Sequence, residues 1–331
     1  MSNNLTPVIN MYGPIDRSGY GHAYTGFLRE LTKQDKVKIL YNDSAYYQGA
    51  DIFFIMHIPP SVRLITKRNY GKKLILYTMI EAESIPKSWE VGCNLCDAII
   101  TPSSHSTRVF SNCQQRPVYT SPLGIDEFYC VPKKREFREP FHFVMSGSLT
   151  ERKNVSTLYS AFKKRFSGNK NVKLTLRYAF KPDIDITSTE NISVVVEDYT
   201  KEKVLDLYLD ANCFVYPSGG EGYGLPIIEA VATGCPVIAT RYSAMCDYID
   251  DLSMISLDNI KLTKAIPYPP YNETAMGANI DPDELISKME YVMNNYDNVS
   301  EESFKASSKV LENYTISVAT RSLVEKFLML I

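Results

Sequence analysis

Short apolar runs rich in Val, Ile and aromatic residues alternate with longer amphipathic stretches along this chain, in two series separated by a proline-bracketed charged segment. This alternation leaves few architectures open. Each run reads as a buried strand and each stretch as a helix, and a strand–helix succession packs as a parallel sheet covered on both faces. The first series predicts strands at Val8–Met11, Val37–Leu40, Ile52–Met56, Leu74–Thr78, Ala98–Thr101 and Val118–Ser121, with Ala23, Phe27, Leu28 and Leu31 marking a helix that faces the sheet. The second predicts Phe141–Ser146, Val172–Arg177, Ile192–Val196, Cys213–Tyr216, Val237–Thr240 and Ser253–Ile255. The fold class is therefore α/β, with a first domain over residues 1–132, a linker over 133–140, a second domain over 141–312 and a terminal helix over 313–331. In the linker, Lys133-Lys134-Arg135 reads as a solvated basic run. Further on, Leu262–Asn279, rich in Pro, Tyr and Asn, reads as a long surface loop before a helix that opens at Asp281-Pro282-Asp283. Two such domains place their ligand crevice at the carboxyl ends of the strands, so the cleft between them is the expected site.

Composition narrows the function classes. A formal net charge of −2 gives no electrostatic footprint for nucleic acid or an acidic membrane. No apolar run approaches the ~18 residues a spanning helix needs, so the expectation is a soluble, cytoplasmic protein with at most peripheral membrane contact. The seven cysteines (Cys93, Cys96, Cys113, Cys130, Cys213, Cys235, Cys246) are scattered and sit mostly in apolar stretches, which suits a reducing compartment. Cys93-Asn94-Leu95-Cys96 lacks a second pair or a histidine at zinc-finger spacing and reads as core packing.

The stretch that carries chemistry is Cys213–Ile238. A strand, Cys213-Phe214-Val215-Tyr216, runs into Ser218-Gly219-Gly220-Glu221-Gly222-Tyr223-Gly224-Leu225, and Pro226 suits the first turn of a helix that stops at Gly234. A strand, a glycine turn and a helix N-terminus together present unpaired backbone N–H groups and a positive dipole end to an anion. Glu221 falls in the loop and Glu229 about one turn inside the helix, with the anion seat between them. Carboxylates on opposite sides of such a seat suit the two ends of one long ligand, hydroxylated at both ends and phosphorylated in the middle, as a sugar nucleotide is.

Glu221-x7-Glu229, with Gly222-Tyr223-Gly224-Leu225-Pro226 between them and Ala230-x-Ala232-x-Gly234-x-Pro236-Val237-Ile238 after, resembles the signature of family 4 retaining glycosyltransferases of the GT-B fold. The resemblance implies two Rossmann-like domains and a glycosyltransferase of hexose type, with a nucleotide-diphosphate sugar as donor, a glycan or glycoconjugate as acceptor, and neither cofactor nor metal. By that resemblance Glu229 holds the ribose hydroxyls of the donor, Glu221 holds hydroxyls of the transferred sugar, and the N–H groups of the Gly222, Tyr223, Gly224 and Leu225 turn meet the diphosphate.

Other segments fit the same pattern. Gly147-Ser148-Leu149-Thr150-Glu151-Arg152-Lys153-Asn154 follows the first strand of the second domain, where Arg152 and Lys153 can neutralise a diphosphate, the first by a fork and the second as a point charge. It resembles the Gly-x4-Arg-Lys-Asn element of the family but departs at Ser148, where many members carry an arginine; Arg152 either takes that task or caps a surface helix. Tyr12-Gly13-Pro14-Ile15-Asp16-Arg17-Ser18-Gly19-Tyr20-Gly21 is a glycine-rich loop, and Gly19 and Tyr20 are its candidates for donor contact. Tyr77-Thr78-Met79-Ile80-Glu81 leaves a strand where family members often place a sugar-binding histidine; Glu81 is the candidate here, as sugar contact or plain helix-start acid. His57 ends a strand and reads as a satisfied histidine. Asp183-Ile184-Asp185 matches a metal-binding Asp-x-Asp in a polar loop away from the cleft, and no metal role follows from it. A sugar-nucleotide epimerase on the same fold needs an acid–base pair that the sequence does not offer, and a non-catalytic sugar-nucleotide-binding module would have no use for Glu221 and Lys153.

Overall fold

In the computed structural model, which describes residues 6–16, 18–41, 49–65, 72–113, 115–147, 150–179, 185–264 and 276–331, two six-stranded parallel sheets dominate. The first holds β1 (Val8–Tyr12), β2 (Lys38–Tyr41), β3 (Ile52–Met56), β4 (Lys73–Tyr77), β5 (Ala98–Thr101) and β6 (Val118–Thr120) in the order β2-β1-β3-β4-β5-β6. The second holds β7 (Phe141–Ser146), β8 (Val172–Tyr178), β9 (Ile192–Val196), β10 (Cys213–Tyr216), β11 (Val237–Thr240) and β12 (Ile255–Leu257) in the order β12-β11-β10-β7-β8-β9. Central strands such as Ile52-Phe53-Phe54-Ile55-Met56 are buried at every position, as a strand covered on both faces must be. The cover comes from α1 (Gly19–Leu31), α2 (Pro59–Ile65), α3 (Glu90–Asn94) and α4 (Ser104–Cys113) in the first domain, and α5 (Val155–Phe166), α6 (Lys201–Asp210) and α7 (Leu225–Ala232) in the second.

Each strand order reverses once, between β1 and β3 and between β7 and β10. At such a reversal the crossovers leave to opposite faces and the loops part, opening a crevice at the carboxyl ends. The loop after β7 and the loop after β10 are the two that carry Arg152–Lys153 and Gly219–Gly224, so the topology alone brings those segments together.

Three expectations need correction. Arg135 is not solvated: its guanidinium is buried and donates to the carbonyls of Tyr208 (3.0 Å), Leu209 (3.1 Å), Ala211 (2.6 Å), Thr233 (3.3 Å) and Gly234 (3.1 Å). These are the orphan C-terminal carbonyls of α6 and α7, a partially negative site that a cation suits. The expected loop Leu262–Asn279 instead supplies two paired arms, β13 (Ile260–Lys264) and β14 (Met276–Ile280), antiparallel in the register Ile260↔Ile280; residues 265–275 lie outside the described residues. β12 begins two residues later than expected, because Ser253 takes a left-handed φ of 52° and closes a turn onto the Asp250 carbonyl (3.1 Å).

Helices α8 (Pro282–Asn294), capped by the Asp281 carboxylate, and α9 (Tyr296–Asn313) complete the second domain. The chain then returns: Ile316 donates to the Ile125 carbonyl (2.7 Å), and α10 (Ile316–Leu330) packs against α1, seating the Phe327 ring 5.1 Å from Phe54 in the core of the first domain. No helix among the described residues is long and apolar enough to cross a membrane.

Candidate active site

Asn154, in a left-handed conformation (φ 52°), ends the short 3-10 turn Glu151–Lys153, and its side-chain amide donates to the carbonyls of Pro217 (2.8 Å) and Ala278 (3.0 Å). Gly219 donates to the Arg152 carbonyl (2.7 Å) and accepts from Ala278 (2.9 Å). These bonds lock the loop after β7, the loop after β10 and strand β14 into one frame. Arg152, Lys153 and Glu221 emerge from it as a cluster.

Within the cluster Glu221 is buried and central. Its Oε1 lies 3.2 Å from Arg152 Nη1 and 3.5 Å from Lys153 Nζ and accepts the Ser218 hydroxyl at 2.6 Å, while its backbone N–H donates to Ser243 Oγ at 2.8 Å. Burial works against its charge, but Lys153 and Arg152 outweigh that and hold the carboxyl below its ordinary value, so Glu221 is ionised. Lys153 donates to the Tyr216 hydroxyl and lies 4.7 Å from that ring's centre; burial outweighs the pull of Glu221 and lowers its affinity for its proton. Arg152 donates also to the Gly220 carbonyl, and its Nη2 stands 4.0 Å from Glu81 of the first domain. Glu81 thus joins the cluster from across the cleft. Burial raises its proton affinity, and its Oε2 has no hydrogen-bond partner among the described residues.

Two glycines take conformations that a side chain would not fit. At Gly220 (φ 153°) a side chain would overlap the Glu81 carbonyl, so only glycine lets the two domains meet there. Gly224 (φ 92°) is the left-handed N-cap of α7, and a side chain would collide with the Tyr248 hydroxyl, which itself donates to the Tyr223 carbonyl at 2.6 Å. The N–H groups of Gly222, Tyr223, Gly224 and Leu225 meet no acceptor among the described residues. At the N-terminus of α7 they form an anion seat beside Lys153. The Tyr223 ring itself is core, edge-on to Tyr248 at 5.8 Å, and Gly222 packs on Met79.

Glu229, on α7 and half-buried, accepts the Tyr208 hydroxyl at 3.0 Å. Burial, only partly offset by that bond, pushes its carboxyl up to about 7. The two glutamates differ in state: one is ionised in a cationic nest, the other poised near neutrality against tyrosines.

The remaining candidates divide. Tyr20 lies beside the cluster, its hydroxyl bonded to Thr78 Oγ1 (3.1 Å) and to the Met79 N–H (3.1 Å). Gly147 (φ 145°) closes β7 next to Lys153 and Tyr216. Gly19 is exposed at the first turn of α1 with open space around it, so nothing local requires glycine there. His57 stacks near Tyr20 (6.3 Å between rings) and accepts from the Ile58 N–H (2.8 Å). Ser148 and Asp183 lie outside the described residues, and Asp185 is exposed. Cys93 and Cys96 are buried, and among the described residues no group of three metal-ligating side chains gathers. Sequence reasoning missed Ser218, Ser243 and Tyr216, which orient the charged pair, because single hydroxyls in apolar or loop segments carry no spacing signal. Arg177, a charge inside the apolar run Leu174–Tyr178, did carry such a signal.

Residues 131–298, just over half of the chain, match the model of the glycosyl transferases group 1, and the chain belongs to that family. It is 40% identical over 53 residues to the O-antigen chain mannosyltransferase B of Escherichia coli (16% of this chain, 14% of that protein). It is 29% identical over 109 residues to the capsular polysaccharide biosynthesis glycosyltransferase CapM of Staphylococcus aureus (31% and 28%). The chain thus spans less than a third of the length of these curated relatives. Among solved structures it resembles Anabaena Alr3699/HepE in complex with UDP and glucose (TM-score 0.68, 10% identity, 98% of this chain and 100% of that one). A glycosyltransferase from Rickettsia africae aligns with TM-score 0.66 at 14% identity, over 99% of each chain. At such identities the likeness speaks for the fold: two Rossmann-like domains in the GT-B arrangement.

Proposed function

We propose that this chain is a retaining glycosyltransferase of family 4 that moves a hexose from a nucleoside-diphosphate sugar to a hydroxyl of a glycan or glycoconjugate, without needing a metal. The observation that carries the reading is the order of groups leading into and along α7: the ionised Glu221 with Lys153 and Arg152, then the N–H groups of Gly222, Tyr223, Gly224 and Leu225, unpaired among the described residues, and then Glu229 inside the helix. That order matches sugar, diphosphate and ribose in sequence.

In this reading the N–H groups, the helix dipole and Lys153 stabilise charge as it develops on the leaving diphosphate, in a site already desolvated. Glu221 is held in place by Ser218 and Ser243 to accept sugar hydroxyls, and Glu81, with one oxygen unpartnered, meets the sugar from the first domain. Arg152, bonded to Gly220 and flanked by both acids, ties the walls together around the donor. Retention follows in this reading from departure and attack on one face of the sugar, with a phosphate oxygen taking the acceptor proton, as the resemblance to the retaining family implies. The relatives named above, which make mannose-containing and capsular glycans by their titles, support a hexose donor.

The test is incubation with nucleotide sugars, with and without simple hexoside acceptors, in excess EDTA, followed by NMR of the product. The expected result is slow nucleoside-diphosphate release from the donor alone and an axial or equatorial linkage matching the donor's anomer when an acceptor is added. An epimerised donor, an inverted linkage, or activity restored only by Mn²⁺ or Mg²⁺ would each contradict the proposal.

A further inference from the structure

Arg177 is a buried cation to which the chemistry above gives no task. It stands one residue before the end of β8, in register with Ser146 of β7 and Val195 of β9, and is 7% exposed. A guanidinium in such a place is costly unless its donors are used. Arg135 shows what full use looks like in this protein, with every nitrogen on a carbonyl oxygen. Arg177 is different. Its Nε (3.0 Å) and Nη2 (2.8 Å) both donate to the single carbonyl of Glu197, Nη2 stands 4.0 Å from Asp198, and its plane lies 4.5 Å from the centre of the Tyr199 ring. Among the described residues Nη1 finds only the Ser146 hydroxyl at 3.5 Å, the outer limit of a hydrogen bond. One edge of the fork, at the carboxyl end of the sheet, thus carries donors that no described residue uses.

The surroundings say what that edge addresses. Tyr208 and Tyr129, whose rings are 6.1 Å apart, neighbour both Arg177 and Glu229, and Tyr208 donates to Glu229 itself. A nucleobase is joined directly to its ribose, so if Glu229 holds the ribose, the base must lie against the residues around Tyr208, Tyr199 and Arg177. We propose that Arg177, backed by Tyr199, selects the base of the donor: its N–H groups left unused by the described residues donate to a carbonyl edge, as in uracil, thymine or guanine, and disfavour adenine, whose amino group would leave a buried donor facing another donor. The inference rests on the assignment of Glu229 to the ribose.

Calorimetry on the full chain with UDP, dTDP, GDP and ADP tests it. At least one of the first three should bind about tenfold or more tightly than ADP. In Arg177→Met that ratio should fall to within about threefold, and in Arg177→Gln it should move toward ADP, because an amide can pair with the adenine edge. Ratios within one variant cancel any general loss of affinity, and either variant suffices if the other does not fold. ADP binding as tightly as the others in the parent, or a ratio unchanged in the variants, would overturn the role of Arg177 while leaving the nucleotide site standing. Failure of all four to bind would overturn the ribose assignment and this inference with it.

Discussion

Glu229 and Glu221 sit on the same loop-and-helix unit, yet their neighbours give them opposite protonation behaviour, and this separates their predicted effects. If Glu229 holds the ribose as proposed, Glu229→Ala removes an acceptor for its hydroxyls, and nucleoside-diphosphate affinity should weaken by roughly 1.5–3 kcal/mol by calorimetry. Glu221→Gln should leave bare nucleotide binding near the parent value and lower turnover. Glu229 also predicts a pH dependence. Burial raises its pKa from an ordinary 4.5 to about 7, so the stability tied to its neutral form is fully present below 4.5 and is lost as pH rises through about 7. Under the proposed assignment ligand binding runs the other way, because ribose hydroxyls would donate to the carboxylate. Affinity for a nucleoside diphosphate should therefore climb several-fold between about pH 5.5 and about 8.5, and Glu229→Gln should flatten that climb. A flat profile in the parent would remove Glu229 from the binding site.

Among the elements, glycines that look alike in sequence carry different constraints. Gly220→Ala places a methyl against the Glu81 carbonyl in a backbone region that disfavours side chains, so turnover should fall by at least about tenfold with helix content by circular dichroism unchanged. Gly19→Ala has open space and should keep activity while stabilising α1 by about 0.5 kcal/mol; a large activity loss would mean that ligand, not protein, approaches Gly19. The two series of strands were legible because central parallel strands are continuous apolar runs that little else resembles, and Glu221, Glu229, Lys153 and the glycine turn were legible because their spacing is fixed by one strand–helix junction. What was not legible depended on distant partners. Arg135 reads as solvated until α6 and α7 bring their carbonyl ends to it, and β13 and β14 are ordinary polar stretches until they pair. Helix α9, with Ser, Asn and Glu throughout Tyr296–Asn313, shows too thin an apolar stripe to announce itself. Glu81 was legible as a candidate sugar contact, but its place beside Arg152 depends on the two domains meeting over Gly220.

At the scale of the whole molecule, the domains are joined in two different ways. Helix α10 is a firm link: Ile316, Ala319, Leu323, Val324 and Phe327 are buried on the first domain, and Phe327→Ala should destabilise the protein by about 3–5 kcal/mol in denaturant unfolding. Across the cleft Gly220 meets the Glu81 carbonyl, Gly222 packs on Met79 and the Tyr129 and Tyr208 rings lie 6.1 Å apart, with polar pairs around them. Asp247 takes the Ser104 N–H at the start of α4 (2.7 Å), and Lys201 meets Asp126 at 2.6 Å, partly exposed pairs each worth about 1 kcal/mol or less. The central claim is that the crevice between β7 and β10 holds a diphosphate on Lys153 and the N-terminus of α7, with the ribose on Glu229. Calorimetric titration of nucleoside diphosphates into the parent, Lys153→Ala and Glu229→Ala tests it most directly. Binding to the parent that both variants weaken by tenfold or more, with their unfolding midpoints close to the parent's, is the predicted result; equal affinity in all three proteins would contradict the account.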